Sequence, residues 1–250
     1  MNGLAVGPDR GGSVCGINDL FFHKAKIIIF GRWPADRLVY LRSMKIIILT
    51  ERVDSALYPA AHCVVVKAVE ELERHRDADL YVDLDFTMEA ARLSALSRML
   101  PSPVMVNAVT TTIAEIGYPF IRINGWPGML ERAVHELAVP HSKAAEQVAG
   151  LYEKLGFTLR IAPDIPGMVT ARMLAVLINE AWYTFQEGVS SKDEIDTAMR
   201  LGTNYPLGPF EWGARIGLAR IVELLEVISE TDPRYIPADS LKKAADGIKI

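Results

Sequence analysis

The sequence of 250 residues lacks the features that mark several specialised protein classes. Its two cysteines, Cys15 and Cys63, form neither a disulfide framework nor a metal motif, and we predict no metal site. The formal net charge is -4 and no basic cluster contains interleaved aromatic residues, so we predict no nucleic-acid partner. No apolar run approaches the roughly 20 residues that span a bilayer, so we predict no membrane partner.

The overall composition is that of an ordinary globular protein. Hydrophobic residues make up 50% of the chain and charged residues 23%. A chain of this length buries a sizeable core in one domain or two. The segment from Met1 to Ser13 is glycine-rich and has no apolar run, unlike a signal peptide. We therefore expect a cytoplasmic protein.

The first 43 residues are the least interpretable part of the sequence. The following segment, Met44 to Thr50, is typical of the first strand of an α/β domain and begins with methionine. One hypothesis is that the native protein starts at Met44 and that the preceding residues are an upstream extension. The alternative is an additional edge strand at Lys26–Phe30.

Strand-like and helix-like segments alternate after Met44, which predicts a mainly parallel sheet covered on both faces. The β pattern disappears after Ile165, so a helical domain is expected from there. The predicted strands are Lys45–Leu49, His62–Val66, Asp79–Asp85, Val104–Asn107, Phe120–Ile123 and Thr158–Ile161. The predicted helices are Lys67–Arg76, Met88–Met99 with Thr87 as its N-cap, Gly128–Ala138 and Ser142–Leu155.

The stretch from Pro166 to Leu218 is the most specific part of the chain. Apolar residues three and four positions apart predict a long helix that ends at Gly188. Ser190 or Ser191 is a suitable N-cap for the next helix. In the following Tyr205–Glu211 turn, we expect the prolines to fix the chain direction and Glu211 to satisfy backbone donors at a helix start.

This stretch resembles the C-terminal domain of the 3-hydroxyacyl-CoA dehydrogenases. The resemblance implies an α/β fold, with a reduced Rossmann-like domain followed by an all-α domain like that of 6-phosphogluconate dehydrogenase. We accordingly divide the chain into an extension (1–43), a Rossmann-like domain (44–164) and a helical domain (165–250). The matching motifs are Pro166-Gly167-Met168, Asn179-Glu180-Ala181, Leu201-Gly202 and Tyr205 to Glu211.

The resemblance implies oxidation of a 3-hydroxyacyl-CoA by hydride transfer to NAD. A dinucleotide site needs glycines directly after the first strand, because they allow backbone N–H groups to approach the pyrophosphate closely. Here the strand is followed by Thr50-Glu51-Arg52, and no glycine occurs between Met44 and Gly117. Glu51 and Asp54 would also repel phosphate. We predict no cofactor-binding residues, and NAD as cofactor only if the family activity survives.

The catalytic base that the resemblance implies is also missing. In the family a histidine precedes its glutamate partner by twelve positions, and counting back twelve from Glu136 gives Asn124. An asparagine amide does not accept a proton at neutral pH. On a helix, His135 would point about 100° away from Glu136. We interpret His135 and His141 as solvated or capping residues, with a catalytic role as the alternative.

The resemblance places substrate-side candidates at Asn107, Thr110 and Arg172. Asn107 matches the asparagine of the family's asparagine-threonine-serine strand, while the substrate hydroxyl donor is shifted to Thr110 or absent. Arg172 matches the arginine in the first turn of the long helix, but Ala171 replaces the asparagine that precedes it in the family.

Two functions follow from these residues. The first is the family chemistry, an oxidoreductase of fatty acyl-CoA or hydroxy acid metabolism. The second is a non-catalytic module that binds an acyl-CoA or assembles with a partner subunit, and the concentration of losses at the site favours it. The resemblance also implies a homodimer formed through the helical domain. The apolar face of the Val169–Phe185 helix is compatible with a dimer core, and the alternative is that it packs in the core of the chain itself.

Overall fold

The computed structural model describes residues 44–51 and 62–248. The hypotheses about a start at Met44 and a strand at Lys26–Phe30 concern residues outside this part of the chain. Arg52 and Asp54, which follow the first strand, also lie outside it.

The described residues form a sheet of seven strands in the order β2-β1-β3-β4-β5-β6-β7. Neighbouring strands are parallel except for the antiparallel pair β5 and β6. This arrangement confirms the predicted α/β fold with a mainly parallel sheet. The strands are β1 (Lys45–Leu49), β2 (His62–Val66), β3 (Leu80–Asp83), β4 (Val104–Val106), β5 (Ile121–Ile123), β6 (Val134–Ala138) and β7 (Thr158–Ile161).

Short helical segments connect the strands. A 3₁₀ segment at Val69–His75 joins β2 to β3, where we predicted an α-helix. The first α-helix begins at Ala90, with Glu89 as N-cap, so Thr87 is not the cap that we predicted. The α-helices of this half are α1 (Ala90–Ser97), α2 (Ile113–Ile116) and α3 (Ser142–Leu155).

The helix predicted at Gly128–Ala138 is wrong, because Val134–Ala138 is strand β6. In VHELA, exposed Val134 and half-buried Glu136 alternate with buried His135 and Leu137, and the last residue, Ala138, is also buried. The short run of residues is ambiguous between helix and strand, and pairing with β5 and β7 decides it. Successive side chains of a strand point to opposite faces, so His135 and Glu136 are separated by the sheet.

Five helices follow β7 in the described part of the chain. The first, α4, buries Ala171, Leu174, Ala175, Ile178 and Trp182, which recur at helical spacing on one face. These residues join the core formed with the next helices. None of the helices in residues 44–51 and 62–248 has the length and apolar character to cross a membrane. The helices are α4 (Thr170–Gln186), α5 (Lys192–Thr203), α6 (Pro209–Ile216), α7 (Leu218–Ser229) and α8 (Asp239–Ala245).

The turn between α5 and α6 is structural, as predicted. The Glu211 carboxylate accepts the Gly208 N–H at 2.7 Å, which confirms its expected role at a helix start. The buried Asp196 accepts the N–H groups of Phe210 (2.8 Å) and Glu211 (3.1 Å). A Cβ atom on Gly208 would lie 2.3 Å from the Asp196 Cγ. Glycine is therefore required where the turn crosses Asp196.

Another of the motif residues, Asn179, also has a structural role. Its side-chain amide donates to the Ile236 carbonyl at 2.9 Å and accepts from the Ala238 N–H at 2.8 Å. Asn179 is 2% exposed, so these bonds are made in the core of the helical region. They attach the segment before α8 to the middle of α4.

Candidate functional site

A cavity of about 480 Å³ lies at the carboxyl ends of β3 and β4 and extends to α7. In doubly wound sheets, ligands bind outside the carboxyl ends of the parallel strands, so the position of this cavity is that of a ligand site. Its walls combine apolar and polar side chains. The lining residues are Leu84, Asp85, Phe86, Thr87, Met88, Asn107, Ala108, Val109, Thr110, Thr111, Trp126, Arg220 and Glu223.

Asn107 follows β4 and lies in the wall of the cavity. Its Nδ2 donates to the Leu84 carbonyl at 3.0 Å, and its Oδ1 accepts the Gly125 N–H at 2.9 Å. A Cβ on Gly125 would lie 2.7 Å from the Asn107 Cγ, so the two segments are in close contact. Asn107 therefore holds the ends of three neighbouring strands together at the edge of the cavity.

Thr110 also lies in the wall of the cavity, and its hydroxyl donates to the Glu223 carboxylate at 2.9 Å. This bond joins the loop after β4 to α7. The structure thus brings two of the three substrate-side candidates, Asn107 and Thr110, to the same cavity. Their assignment to substrate binding stays a prediction.

Arg172, the third candidate, is not among the lining residues of the cavity. Its guanidinium lies over the Tyr235 ring, 4.8 Å from the ring centroid. The guanidinium groups of Arg172 and Arg234 together lower the pKa of the Tyr235 phenol, and Arg234 Nη2 donates to its hydroxyl. The visible role of Arg172 is to join the start of α4 to the segment before α8.

A buried arginine, which the sequence did not single out, fixes the cavity loop. Arg122 lies on β5 with a fully buried side chain. It donates to the carbonyls of Ala108 (2.8 Å) and Val109 (3.0 Å), both of which belong to lining residues. Burial lowers the pKa of the Arg122 guanidinium, but the Asp164 carboxylate at 2.5 Å opposes this effect.

The end of β1 is the place where a dinucleotide would bind. There, the Asp85 carboxylate accepts the Thr50 hydroxyl at 2.9 Å and the Glu51 N–H at 2.7 Å. A pyrophosphate would need this N–H and would meet a carboxylate of the same charge sign. The described residues at the end of β1 therefore do not fit a dinucleotide. The missing glycines indicated this misfit, but nothing in the sequence pointed to Asp85.

Glu136 lies on β6 and Asn124 directly follows the paired strand β5, with its N–H donating to the Glu136 carbonyl at 3.4 Å. The Glu136 carboxylate accepts the N–H groups of Val169 at 2.8 Å and Thr170 at 3.0 Å, and so caps the start of α4. Asn124 is 3% exposed, and its Oδ1 accepts the Trp126 N–H at 3.3 Å. Its Nδ2 has no hydrogen-bond partner among the described residues.

His135 is neither solvated nor a cap, contrary to our interpretation. It is 1% exposed, with its Nδ1 3.2 Å from the Tyr152 hydroxyl and its Nε2 3.0 Å from the Leu130 carbonyl. Burial lowers the pKa of this imidazole. The capping interpretation is confirmed for His141, whose Nδ1 accepts the Ala144 N–H at 3.1 Å.

Residues 167–247 match the sequence model of the 3-hydroxyacyl-CoA dehydrogenase C-terminal domain. The matched segment begins directly before α4 and ends after α8. It therefore covers the five helices that follow the sheet.

Two curated proteins are similar to longer parts of the chain. The 3-hydroxyadipyl-CoA dehydrogenase of Escherichia coli (strain K12) is 39% identical over 133 residues, which are 52% of this chain and 28% of that protein. A probable 3-hydroxybutyryl-CoA dehydrogenase of Bacillus subtilis (strain 168) is 31% identical over 191 residues, which are 70% of this chain and 66% of that protein. The chain thus spans less than two thirds of the length of these relatives.

A solved structure has the same arrangement of sheet and helices. The crystal structure of (S)-3-hydroxybutyryl-CoA dehydrogenase from Ralstonia eutropha superposes with a TM-score of 0.61 and 25% identity. The alignment covers 74% of this chain and 71% of that one. A Rossmann-like sheet followed by a helical domain is therefore the fold of this chain.

Proposed function

Because the chain belongs to the 3-hydroxyacyl-CoA dehydrogenase family, we propose that it binds an acyl-CoA thioester without transferring hydride. The family consists of oxidoreductases, and the relatives described above are named as dehydrogenases of 3-hydroxyacyl-CoA compounds. The proposed ligand site is the cavity between the carboxyl ends of β3 and β4 and helix α7.

The proposal is carried by the hydrogen bonds of Glu136 and by the asparagine at position 124. The Glu136 carboxylate is bound to two N–H groups at the start of α4. The residue twelve positions earlier is a buried asparagine, whose amide does not act as a base. No base is therefore present at the position that the family uses to remove the hydroxyl proton. Ligand binding does not need this proton transfer, so a cavity without the base still supports a binding function.

The size and lining of the cavity support a ligand with a short acyl group. A volume of about 480 Å³ lies within the range of small-molecule sites. Leu84, Phe86 and Trp126 offer apolar surface for an acyl chain, while Thr87 and Thr111 offer hydroxyl groups for a carbonyl or an amide.

The second candidate function is the dehydrogenase activity of the family, and the match over residues 167–247 favours it. It requires NAD to bind despite Asp85 and the absence of glycines after β1. It also requires a proton acceptor at a position other than 124. These two requirements make the activity testable apart from acyl-CoA binding.

We also propose that the protein is a homodimer formed through the helical region. Val169, the residue before α4, and Met173, on α4, lie about one turn apart, and they are 52% and 65% exposed. Leu201 on α5 is 83% exposed. Large apolar side chains that are this exposed favour burial in a second copy of the chain. Analytical ultracentrifugation of the wild type and of Met173→Glu tests this, and an unchanged mass of the variant contradicts it.

The proposed function is tested by two titrations of the purified chain. We expect acetoacetyl-CoA to bind saturably in calorimetry, and NADH fluorescence to stay unchanged with and without acetoacetyl-CoA. Saturable NADH binding followed by turnover would overturn the proposed loss of hydride transfer. Absence of acetoacetyl-CoA binding would overturn the ligand assignment.

A matched pair of variants locates the binding site. Thr87→Trp places an indole in the cavity mouth, and we expect at least a tenfold loss of acetoacetyl-CoA affinity. Thr197→Trp makes the same change on an exposed position of α5, outside the lining of the cavity, and should leave the affinity unchanged. Equal affinities of the two variants would place the ligand elsewhere.

A further inference from the structure

Asp85 lies two residues beyond the end of β3, beside the end of β1. Its Oδ2 is 2.7 Å from the Glu51 nitrogen and 2.9 Å from the Thr50 hydroxyl. The Glu51 N–H is an amide that follows β1 directly, and Thr50 is 1% exposed. One carboxylate oxygen thus accepts a hydroxyl and a backbone N–H from the two residues that follow β1.

The backbone around Asp85 is held in place by the sheet. Leu84 N–H donates to the Leu49 carbonyl at 3.0 Å, and Asp85 N–H donates to the Asp83 carboxylate at 3.1 Å. Asp83 is fully buried and forms two hydrogen bonds with Arg92, at 2.6 and 2.7 Å. The position of the Asp85 carboxylate is therefore fixed by neighbouring strands and by an ion pair.

A backbone N–H and a hydroxyl that converge on one anionic oxygen form a charge-assisted anion site. In sheets of this kind, N–H groups after the first strand bind the phosphates of nucleotides. The Asp83 charge near this position is balanced by Arg92. The Asp85 carboxylate is the anion that the Thr50 hydroxyl and the Glu51 N–H bind, whereas the Glu51 residue itself is exposed.

We propose that Asp85 is an internal anion that fills the phosphate position at the end of β1 and excludes phosphate-bearing ligands from it. Removing the carboxylate leaves the Glu51 N–H and the Thr50 hydroxyl without this acceptor, and an external phosphate or pyrophosphate then takes its place. Asp85 also lines the cavity, but the inference concerns the two donors at the end of β1 and does not depend on the identity of the ligand in the cavity.

The experiment is anion rescue of Asp85→Ala, followed by thermal unfolding. We expect the Tm of Asp85→Ala to lie below that of the wild type, because two donors lose their acceptor. Inorganic pyrophosphate should then raise the Tm of the variant more than that of the wild type, since ligands that bind the native state stabilise it. Sodium chloride at the same ionic strength serves as the salt control.

Asp77→Ala is the matched control variant. Asp77 forms an ion pair with Lys45 at the opposite end of β1. Asp77→Ala therefore removes a carboxylate near the same strand and leaves the proposed phosphate position unchanged. We expect pyrophosphate to stabilise Asp77→Ala no more than the wild type. An equal pyrophosphate effect in Asp85→Ala and Asp77→Ala overturns the proposal.

A second variant and a calorimetric titration complete the test. If Asp85→Ala does not fold, the same comparison is made with Asp85→Ser, which removes the carboxylate but keeps a polar side chain. Calorimetric titration with pyrophosphate should show binding to the variant and none to the wild type, and binding to both overturns the proposal. Neither readout uses an acyl-CoA, so failure here is distinct from failure of the proposed function.

Discussion

Arg122 and Asp164 form an ion pair with 2.5 Å between Nη1 and Oδ1, although 42 positions separate them in the sequence. The Asp164 carboxylate also accepts the Ile113 N–H at the start of α2, at 2.9 and 3.0 Å. Arg122 reaches the carbonyls of Ala108 and Val109 on the other side. The pair thus connects the cavity loop to the segment that leads into α4.

We predict that Arg122→Met destabilises the protein by about 1 to 3 kcal/mol for each carbonyl that loses its donor, because Arg122 is the buried donor to the Ala108 and Val109 carbonyls. Urea unfolding, followed by circular dichroism, measures the difference. Arg122→Lys restores a charge but not the planar fork of donors, so its stability should lie between that of the wild type and that of Arg122→Met. Arg160→Met on the exposed strand β7 is the control, and an equal loss in both methionine variants would contradict the role of Arg122.

Substitution of Gly208 by alanine tests the turn between α5 and α6. The new Cβ would lie 2.3 Å from the Asp196 Cγ, so Asp196 must move away from the N–H groups that it caps. We expect a loss of about 1 to 3 kcal/mol in the free energy of unfolding. Gly150→Ala on α3 meets no atom within 4 Å and should be neutral or stabilising by up to about 1 kcal/mol. Equal effects of the two substitutions would disprove the steric explanation.

The buried His135 predicts a dependence of stability on pH. Burial lowers the pKa of His135 in the folded protein below its usual value of 6.5. Below that pH the unfolded chain binds a proton that the folded protein does not, so stability is lost as pH falls through 6.5 towards the folded pKa. The slope from this group is at most about 1.4 kcal/mol per pH unit.

The measurement for His135 is a series of urea unfolding curves between about pH 5 and pH 8, the interval in which histidine titrates. His135→Gln keeps hydrogen-bonding groups but does not titrate, and we expect a flatter profile for this variant. Identical profiles for the wild type and His135→Gln would show that another group causes the pH dependence.

Asn179→Ala separates a structural role from a role in ligand binding. The substitution leaves the Ile236 carbonyl and the Ala238 N–H without their side-chain partner, and each such buried group costs about 1 to 3 kcal/mol. Hydrogen exchange should accelerate at Ala238 and in α8. Acetoacetyl-CoA affinity should stay unchanged at a temperature where the variant is folded, and a large loss of affinity would connect Asn179 to the ligand.

Local patterns predicted many of the elements. Lys45–Leu49, His62–Val66, Thr158–Ile161 and Ser142–Leu155 have the predicted bounds, because apolar periodicity and capping residues act within a few positions. The capping of α5 by Ser191 follows from the same local rule. The prediction of a helix was wrong at Val134–Ala138, because pairing with two neighbouring strands favours a strand there.

The candidate site was predictable only in part. The sequence indicated Asn107 and Thr110, and both lie at the cavity. The division into residues 1–43, 44–164 and 165–250, together with the roles of Glu136 and Asn124, stays a prediction. Arg220 and Glu223 lie on an amphipathic helix among other charged residues, so no sequence signal separates them from its solvated face.

The sequence by itself determined six of the seven strands, the family, and the absence of glycines and of a histidine from the expected positions. Only the tertiary structure decided which polar groups meet. Asp85 reaches the Glu51 N–H across 34 positions, and Arg122 reaches Asp164 across 42. Such contacts depend on the order and register of the strands, which nearest-neighbour patterns do not encode. The chemistry at the end of β1 therefore becomes visible only when β1 and β3 lie side by side.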